Sequence, residues 1–342
     1  VADNRSLREH AREYQSTENG RSNVPILVTG GTGLIGAQIV ADLRDAGDHV
    51  VVMVRNPPPE AERAAWGDVD WFRGDIRDPA QVGALFDEKT IDRVIHLAAF
   101  LQYDCENDPD NAVAVNVTGT LNLLRAARKA GASRFVFGSS IAVYGNGAVV
   151  FSEDTLPVTP VRIYGQSKLM GECLGERYRA LHGLDFVAVR YGGVFGPGGP
   201  VKNRGMSALR HELKQTLWGK PADITGASGD ECFQYTYVKD AAAATIAAMR
   251  RPELHYTVYN VAGPLSNYIS LKDFYGAIRS VAPNAGAATF SGKSESGLRV
   301  DITRMETDLG IVPRFTVADG LRDELARSRS ETADEGHAGP VD

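Results

Sequence analysis

Short, almost wholly apolar runs alternate with longer segments whose apolar residues recur at helical spacing. "PILVTG", "HVVVMV", "VDWFRGD", "RVIHLAA", "RFVFGSS" and "DFVAVRYGGVFG" read as six strands in chain order. "LIGAQIVADLRDAG", with its stopping Gly47, reads as a helix after the first strand. A long helix is predicted from about Asp110 to Gly131, and another from Tyr164 to His182. Continuous apolar strands separated by helices point to a doubly wound parallel sheet buried on both faces.

The texture changes after residue 196. "GPGGPVKNRG" reads as loop, "MSALRHELKQTLWG" as a helix and "FQYTYV" as a short strand. The alanine-rich helix "DAAAATIAAMR" and the strand "YTVYNVAG" follow. A smaller α/β lobe at the carboxyl edge of the sheet is expected, built from 192–234 plus 263–327, with 25–191 plus about 235–262 forming the main domain. Residues 1–24 read as a polar extension and 328–342 as a small, polar, flexible tail. There is no internal repeat.

Composition narrows the class. The 342 residues are 43% hydrophobic and 23% charged, enough to build a full core, and the formal charge is -6 with acids and bases intermingled. No basic stripe calls for nucleic acid, and no apolar run is long enough for a membrane span. The three cysteines form no C-x-x-C pair and the seven histidines no H-E-x-x-H, so neither a metal site nor a disulfide framework is expected. Together these features predict a cytoplasmic location.

"VTGGTGLIGAQIV" places Gly30, Gly33 and Gly36 where the first strand turns into the first helix. A dinucleotide pyrophosphate needs glycines there, for a tight turn, a close backbone approach and close helix–strand packing. The helix start then aims free N–H groups at the phosphates. At the end of the second strand, Val54 stands where an NAD-selective acid is expected, and Arg55 follows. A guanidinium there suits a 2′-phosphate, so NADP(H) is expected over NAD(H).

These motifs, with "GDIRD", "HLAA", "NVTGT", "FGSSIAVYG", "YGQSK" and "RYGGVFGPG" in that order, resemble the extended branch of the short-chain dehydrogenase/reductase family over about residues 25 to 325. The resemblance implies a Rossmann-type fold. It also implies a cofactor cleft formed by Gly30, Thr32, Gly33, Leu34, Ile35, Gly36, Arg55, Asp75 and Ile76 at the adenine end. Leu97, Ala98, Ala99, Asn116, Ser139, Tyr164, Lys168, Tyr191 and Val194 continue it toward the nicotinamide. Leu101, Ser140, Ala142 and Gly193 are the implied substrate contacts, and the two long helices an implied homodimer surface.

Tyr164 and Lys168 lie one helical turn apart, and an ammonium so placed favours the phenolate of a group that otherwise titrates near 10. The resemblance makes Tyr164 the acid–base, Ser140 the partner of the reacting oxygen, and Asn116 an orienting group and proton relay. The leading expectation is an oxidoreductase passing a hydride between nicotinamide and a secondary alcohol or ketone. The alternatives are a nucleotide-sugar 4-epimerase and a cofactor sensor without catalysis. Ile141 and Ala142 replace the acids that dehydratases and decarboxylases carry after the serine. Phe233 and Gln234 replace an Arg-Asp pair, Gly292 and Lys293 fall where another arginine is usual, and Gly192 and Gly193 replace an amide. Weaker diphosphate clamps predict a small-molecule substrate without a nucleoside diphosphate, with Lys293 or Arg299 as possible substitutes.

Overall fold

The computed structural model describes residues 25–145, 150–156, 158–197, 213, 215–225, 227–292 and 297–335. The N-terminal extension, most of the helix expected over 206–219, Lys293 and residues 336–342 lie outside the described residues.

Strands β1 (Ile26–Thr29), β2 (Val50–Val54), β3 (Asp70–Arg73), β4 (Arg93–His96), β5 (Arg134–Ser140) and β6 (Phe186–Tyr191) realise the six apolar runs. Three short strands, β7 (Gly193–Phe195), β8 (Ala222–Thr225) and β9 (Cys232–Tyr237), precede β10 (Val258–Val261). The last two are β11 (Tyr268–Ser270) and β12 (Ala288–Ser291). One seven-stranded sheet runs in the order β10-β6-β5-β4-β1-β2-β3 with every neighbour parallel. Its order reverses between β1 and β4, and a crevice opens there at the carboxyl ends of the strands. A second sheet, β11-β9-β7, forms the smaller lobe, with β12 and β8 paired beside it.

The helices that matter for the site are α1 (Leu34–Asp45), α2 (Pro79–Glu88), α3 (Thr120–Ala130), α4 (Ile163–His182), α5 (Val238–Arg250), α6 (Leu271–Val281) and α7 (Val317–Glu335). Asp78 starts α2 by accepting from the amides of Ala80 and Gln81, with Pro79 in the first turn, a cap worth about 1 kcal/mol. The helix predicted over 110–131 is interrupted: Val113–Gly119 winds as a π-helix before α3 begins. Helix α7 runs to Glu335, into the segment expected as tail.

Both sheet faces are covered, as continuous apolar strands require. Ile39, Val40 and Leu43 of α1 pack with Ala241, Ala244 and Ala248 of α5 on one face. Leu85 and Phe86 of α2, Leu123 and Leu124 of α3, and Phe135, Phe137 and Phe186 from the strands fill the other. Among the described residues no helix is long and apolar enough to cross a membrane, and no cluster of His, Cys, Asp and Glu is arranged to hold a metal.

Candidate active site

The glycine turn has the shape a pyrophosphate needs. Gly30 adopts φ +72°, and a Cβ there would lie 2.7 Å from both Ala98 N and Leu97 C. A Cβ on Gly36 would lie 2.1 Å from Gly30 O, so the first turn of α1 can rest on the strand end only with glycine at that position. Gly33 caps α1 without a side-chain hydrogen bond, leaving first-turn N–H groups for a ligand. Thr32 and the partly buried Leu34 and Ile35 complete the turn. This cradle, which any side chain would fill, fits a dinucleotide.

Asp75 follows β3 at the other end of the crevice. Its carboxylate accepts from Arg77 Nε (3.1 and 3.0 Å) and from Arg77 Nη2 (2.6 Å). Those bonds, with the charge of Arg55 adding, hold Asp75 below its usual value. Ile76 is buried against Gly119, where a Cβ would come within 2.7 Å of its side chain. Leu97, Ala98, Ala99 and Leu101 leave β4 partly exposed along the floor.

Strand β5 delivers Ser140 at its carboxyl end. Ser140 Oγ accepts from Ala142 N at 3.2 Å, and the Tyr164 hydroxyl hydrogen-bonds the same side chain. Helix α4 can come so close because residue 165 is glycine: a Cβ there would stand 2.4 Å from Ala142 O. Lys168 is buried, donates to Gly138 O at 2.7 Å, and sits 5.8 Å from the Tyr164 ring. Burial pushes its ammonium down to about 8, with Cys105 and Glu172 opposing.

Tyr164 departs from the sequence expectation. Burial pushes its hydroxyl up to about 12, with the Ser140 bond opposing and Cys105 adding. Desolvation of the phenol outweighs an ammonium whose hydrogen bond is directed at a strand carbonyl.

Asn116 joins the two halves of the site. Its Oδ1 accepts from Phe100 N at 2.7 Å, and its Nδ2 donates to Phe100 O at 3.0 Å and to Ser167 Oγ at 2.9 Å. Ser167 in turn donates to Tyr164 O at 2.8 Å. Three expected cofactor residues turn their side chains elsewhere. Ser139 donates to Glu172 Oε1 at 2.5 Å, the Tyr191 hydroxyl bonds Thr245 at 2.6 Å, and Val194 packs into the core. Gly193, by contrast, faces open space.

Sequence reasoning missed the pair behind Lys168. Glu172 accepts from Arg190 at 2.9 and 2.7 Å, and Arg190 also donates to the Tyr144 hydroxyl at 2.9 Å. The i, i+4, i+8 stripe Tyr164–Lys168–Glu172 was the available signal, since it puts a second charge on the buried face of α4.

The sequence profile of the NAD dependent epimerase/dehydratase family matches residues 26–262. A UDP-glucose 4-epimerase of Streptomyces lividans is 32% identical over 271 residues, covering 75% of this chain and 80% of that protein. The structure of Thermus thermophilus UDP-glucose 4-epimerase in complex with NAD superposes with a TM-score of 0.76 at 27% identity, covering 88% of this chain and 97% of the other. Bacillus cereus UDP-glucuronic acid 4-epimerase, in complex with UDP-glucuronic acid and NAD, gives 0.75 at 28%, covering 88% and 98%.

One expectation is corrected. NADP(H) is overturned, because these solved relatives hold NAD. The sequence misled because Arg55 is adjacent to Val54 in the chain while its charge acts on the Asp75 carboxylate, a poor neighbour for a 2′-phosphate. The relatives named here are 4-epimerases, the alternative expectation, rather than net alcohol dehydrogenases. Gln234, read as a lost clamp, serves the fold instead, bonding Gly263 O at 2.8 Å and Val300 N at 3.1 Å. The match over the glycine cradle, the Ser140–Tyr164–Lys168 cluster and the returning strand β10 is one continuous stretch, and the chain belongs to the NAD dependent epimerase/dehydratase family.

Proposed function

We propose that this protein is a nucleotide-sugar 4-epimerase acting on a UDP-linked hexose, with NAD resident in the cradle at Gly30–Gly36. The observation that carries this reading is the meeting of Ser140, Tyr164 and Lys168 beside that cradle, in a chain whose relatives bear this activity.

Bound NAD supplies a group that accepts a hydride and gives it back. The chain's residues do the rest. Tyr164, ionised beside Lys168 before the step, takes the proton of the sugar O4 as C4 becomes a ketone, and later returns it. Ser140 holds the same oxygen while charge develops on it. Lys168 keeps a positive charge next to the phenol, which on loss of its proton is no longer an isolated buried anion. Because Ser140 and Tyr164 address only the oxygen, they serve equally when the ketone presents its opposite face. Cys105, whose thiol donates to Phe100 O at 3.3 Å and is pushed up to about 11 by burial, stays protonated.

The test is incubation of the purified protein with UDP-glucose and with UDP-glucuronic acid, without added nicotinamide nucleotide, followed by proton NMR. The C4 epimer should accumulate to equilibrium with no net change in nicotinamide absorbance. Stoichiometric consumption of added NAD with a ketone product would restore the dehydrogenase, and no binding of any UDP-sugar by calorimetry would end the reading.

A further inference from the structure

Thr29 at the end of β1, His96 at the end of β4 and Thr120 at the start of α3 form a hydrogen-bond chain beneath the site. Thr29 Oγ1 lies 2.6 Å from His96 Nδ1, and His96 Nε2 lies 2.9 Å from Thr120 Oγ1. His96 is only 1% exposed and both threonines are fully buried. The His96 ring packs between Phe135 and Phe137, with centroids 6.0 and 5.8 Å away. Both of its ring nitrogens have ordered partners, as a buried imidazole requires.

The direction of every bond follows from the far end. The Thr120 hydroxyl donates its one proton to Asn116 O at 2.6 Å, so it can only accept from His96. His96 Nε2 therefore carries a proton. Burial, with the Lys168 charge adding, pushes the ring down to about 3, so it is neutral and Nδ1 is bare. Thr29 must then donate to Nδ1, and its oxygen accepts from Ala98 N at 3.3 Å. The chain runs one way, from a cofactor-cleft amide to the Asn116 carbonyl.

That carbonyl sits in the π-helical stretch Val113–Gly119. The Thr120 amide bonds Val117 O, so the Thr120 hydroxyl takes the place at Asn116 O that an α-helical amide would fill. The Asn116 amide projects from this stretch onto Phe100 and Ser167, and through Ser167 it reaches the backbone of Tyr164.

We infer that His96 is a positioning residue for the hydride chemistry: as the Nε2–H tautomer it fixes the Thr120 hydroxyl on the Asn116 carbonyl, holds the π-helical stretch open and keeps the Asn116 amide clamped between the Phe100 loop and the helix bearing Tyr164. This rests on the family's chemistry at Tyr164 and not on which sugar is bound.

The first test is NMR of the whole protein with nitrogen-labelled histidine. The His96 ring should show the Nε2–H tautomer and no titration between about pH 5 and 9, where an ordinary histidine changes charge. An Nδ1–H tautomer or a titrating ring would overturn the inference, whatever the substrate proves to be. The second uses His96→Leu and the isosteric Thr120→Val. Each should lower kcat by about tenfold to a hundredfold, as a small misplacement of a reacting group does, while the sugar KM stays within about twofold. The double variant should be no worse than the poorer single, and His96→Gln, whose amide can still donate to Thr120, should recover most of the loss. Unchanged kcat in folded Thr120→Val, or additive losses, would overturn it. Should the histidine variants not fold, the threonine variant and the wild-type tautomer still decide.

Discussion

Lys168 and Glu172 sit one turn apart on the same buried face of α4, and their surroundings treat charge in opposite ways. Glu172 accepts from Ser139 and twice from Arg190, whose guanidinium also reaches Tyr144. Burial lowers Arg190 and its bonds to Glu172 raise it, for a net value above the usual arginine range. Among the described residues Lys168 donates one hydrogen bond, to a carbonyl, and burial lowers its value to about 8. Arg190 is thereby fixed as charged. The buried ammonium, next to a phenol pushed up to about 12, is brought within reach of a proton exchange. One face of α4 thus carries a charge held by its partners and, one turn away, a charge that burial brings into the titrating range.

Four measurements would break or sharpen this contrast, in descending order of expected effect. Tyr164→Phe removes only the hydroxyl and should lower turnover by about 10²–10⁴-fold, with binding of cofactor nearly intact. Retention of most turnover would mean that another group exchanges the proton. Glu172→Gln should cost about 3–5 kcal/mol in urea unfolding, because Arg190 is left buried and uncompensated. Replacing both partners by apolar residues (Glu172→Leu with Arg190→Met) should recover much of that loss; if the double variant is worse than the single, the pair does more than satisfy itself.

The third measurement is the pH dependence of kcat. Tyr164, Cys105, Glu172 and His96 are the titratable groups coupled to or facing Lys168. If the charged ammonium is needed, kcat should fall as pH rises through about 8. A profile flat to about pH 9.5 would show that the bound state holds the charge more tightly than the protein alone. The smallest effect concerns an exposed histidine paired with a buried carboxylate. His255 Nδ1 and Asp308 Oδ1 lie 2.6 Å apart, and the bond raises His255 above its usual 6.5. A raised histidine contributes stability that is fully present below 6.5 and disappears as pH rises through the folded value. The melting temperature of His255→Gln should therefore lie slightly below wild type at low pH and meet it above that value. A gap that widened with pH would contradict the pairing.

Much of this was legible in the sequence where the signal is local. The glycine turn, the six strands and the Tyr164–Lys168 spacing each depend on residues within one or two turns of each other. What was not legible comes from pairing across the fold. Asn116 meets Phe100 and Ser167, His96 meets Thr29 and Thr120, and Glu172 meets Arg190, and no periodicity announces such partners. Arg55 was misread for the same reason, since the carboxylate that its charge affects comes from the next strand. Strands β8 and β12 were missed because "ADIT" and "ATFS" are short and half polar, and become strands only by pairing with each other.

The passage from β6 to β7 has a mechanical consequence. Tyr191 still pairs with β5 and β10 in the large sheet, and Gly193 already pairs with β9 in the small one. The single residue between them, Gly192, is itself tied to Val261 O at 2.9 Å. On the return journey β9 ends at Tyr237 and α5, packed on α1, begins at the next residue. Neither crossing has slack to act as a hinge. At these two points the lobes are joined like welded plates, so the width of the gap beside Gly193 is set by the side chains along it rather than by how far one lobe swings.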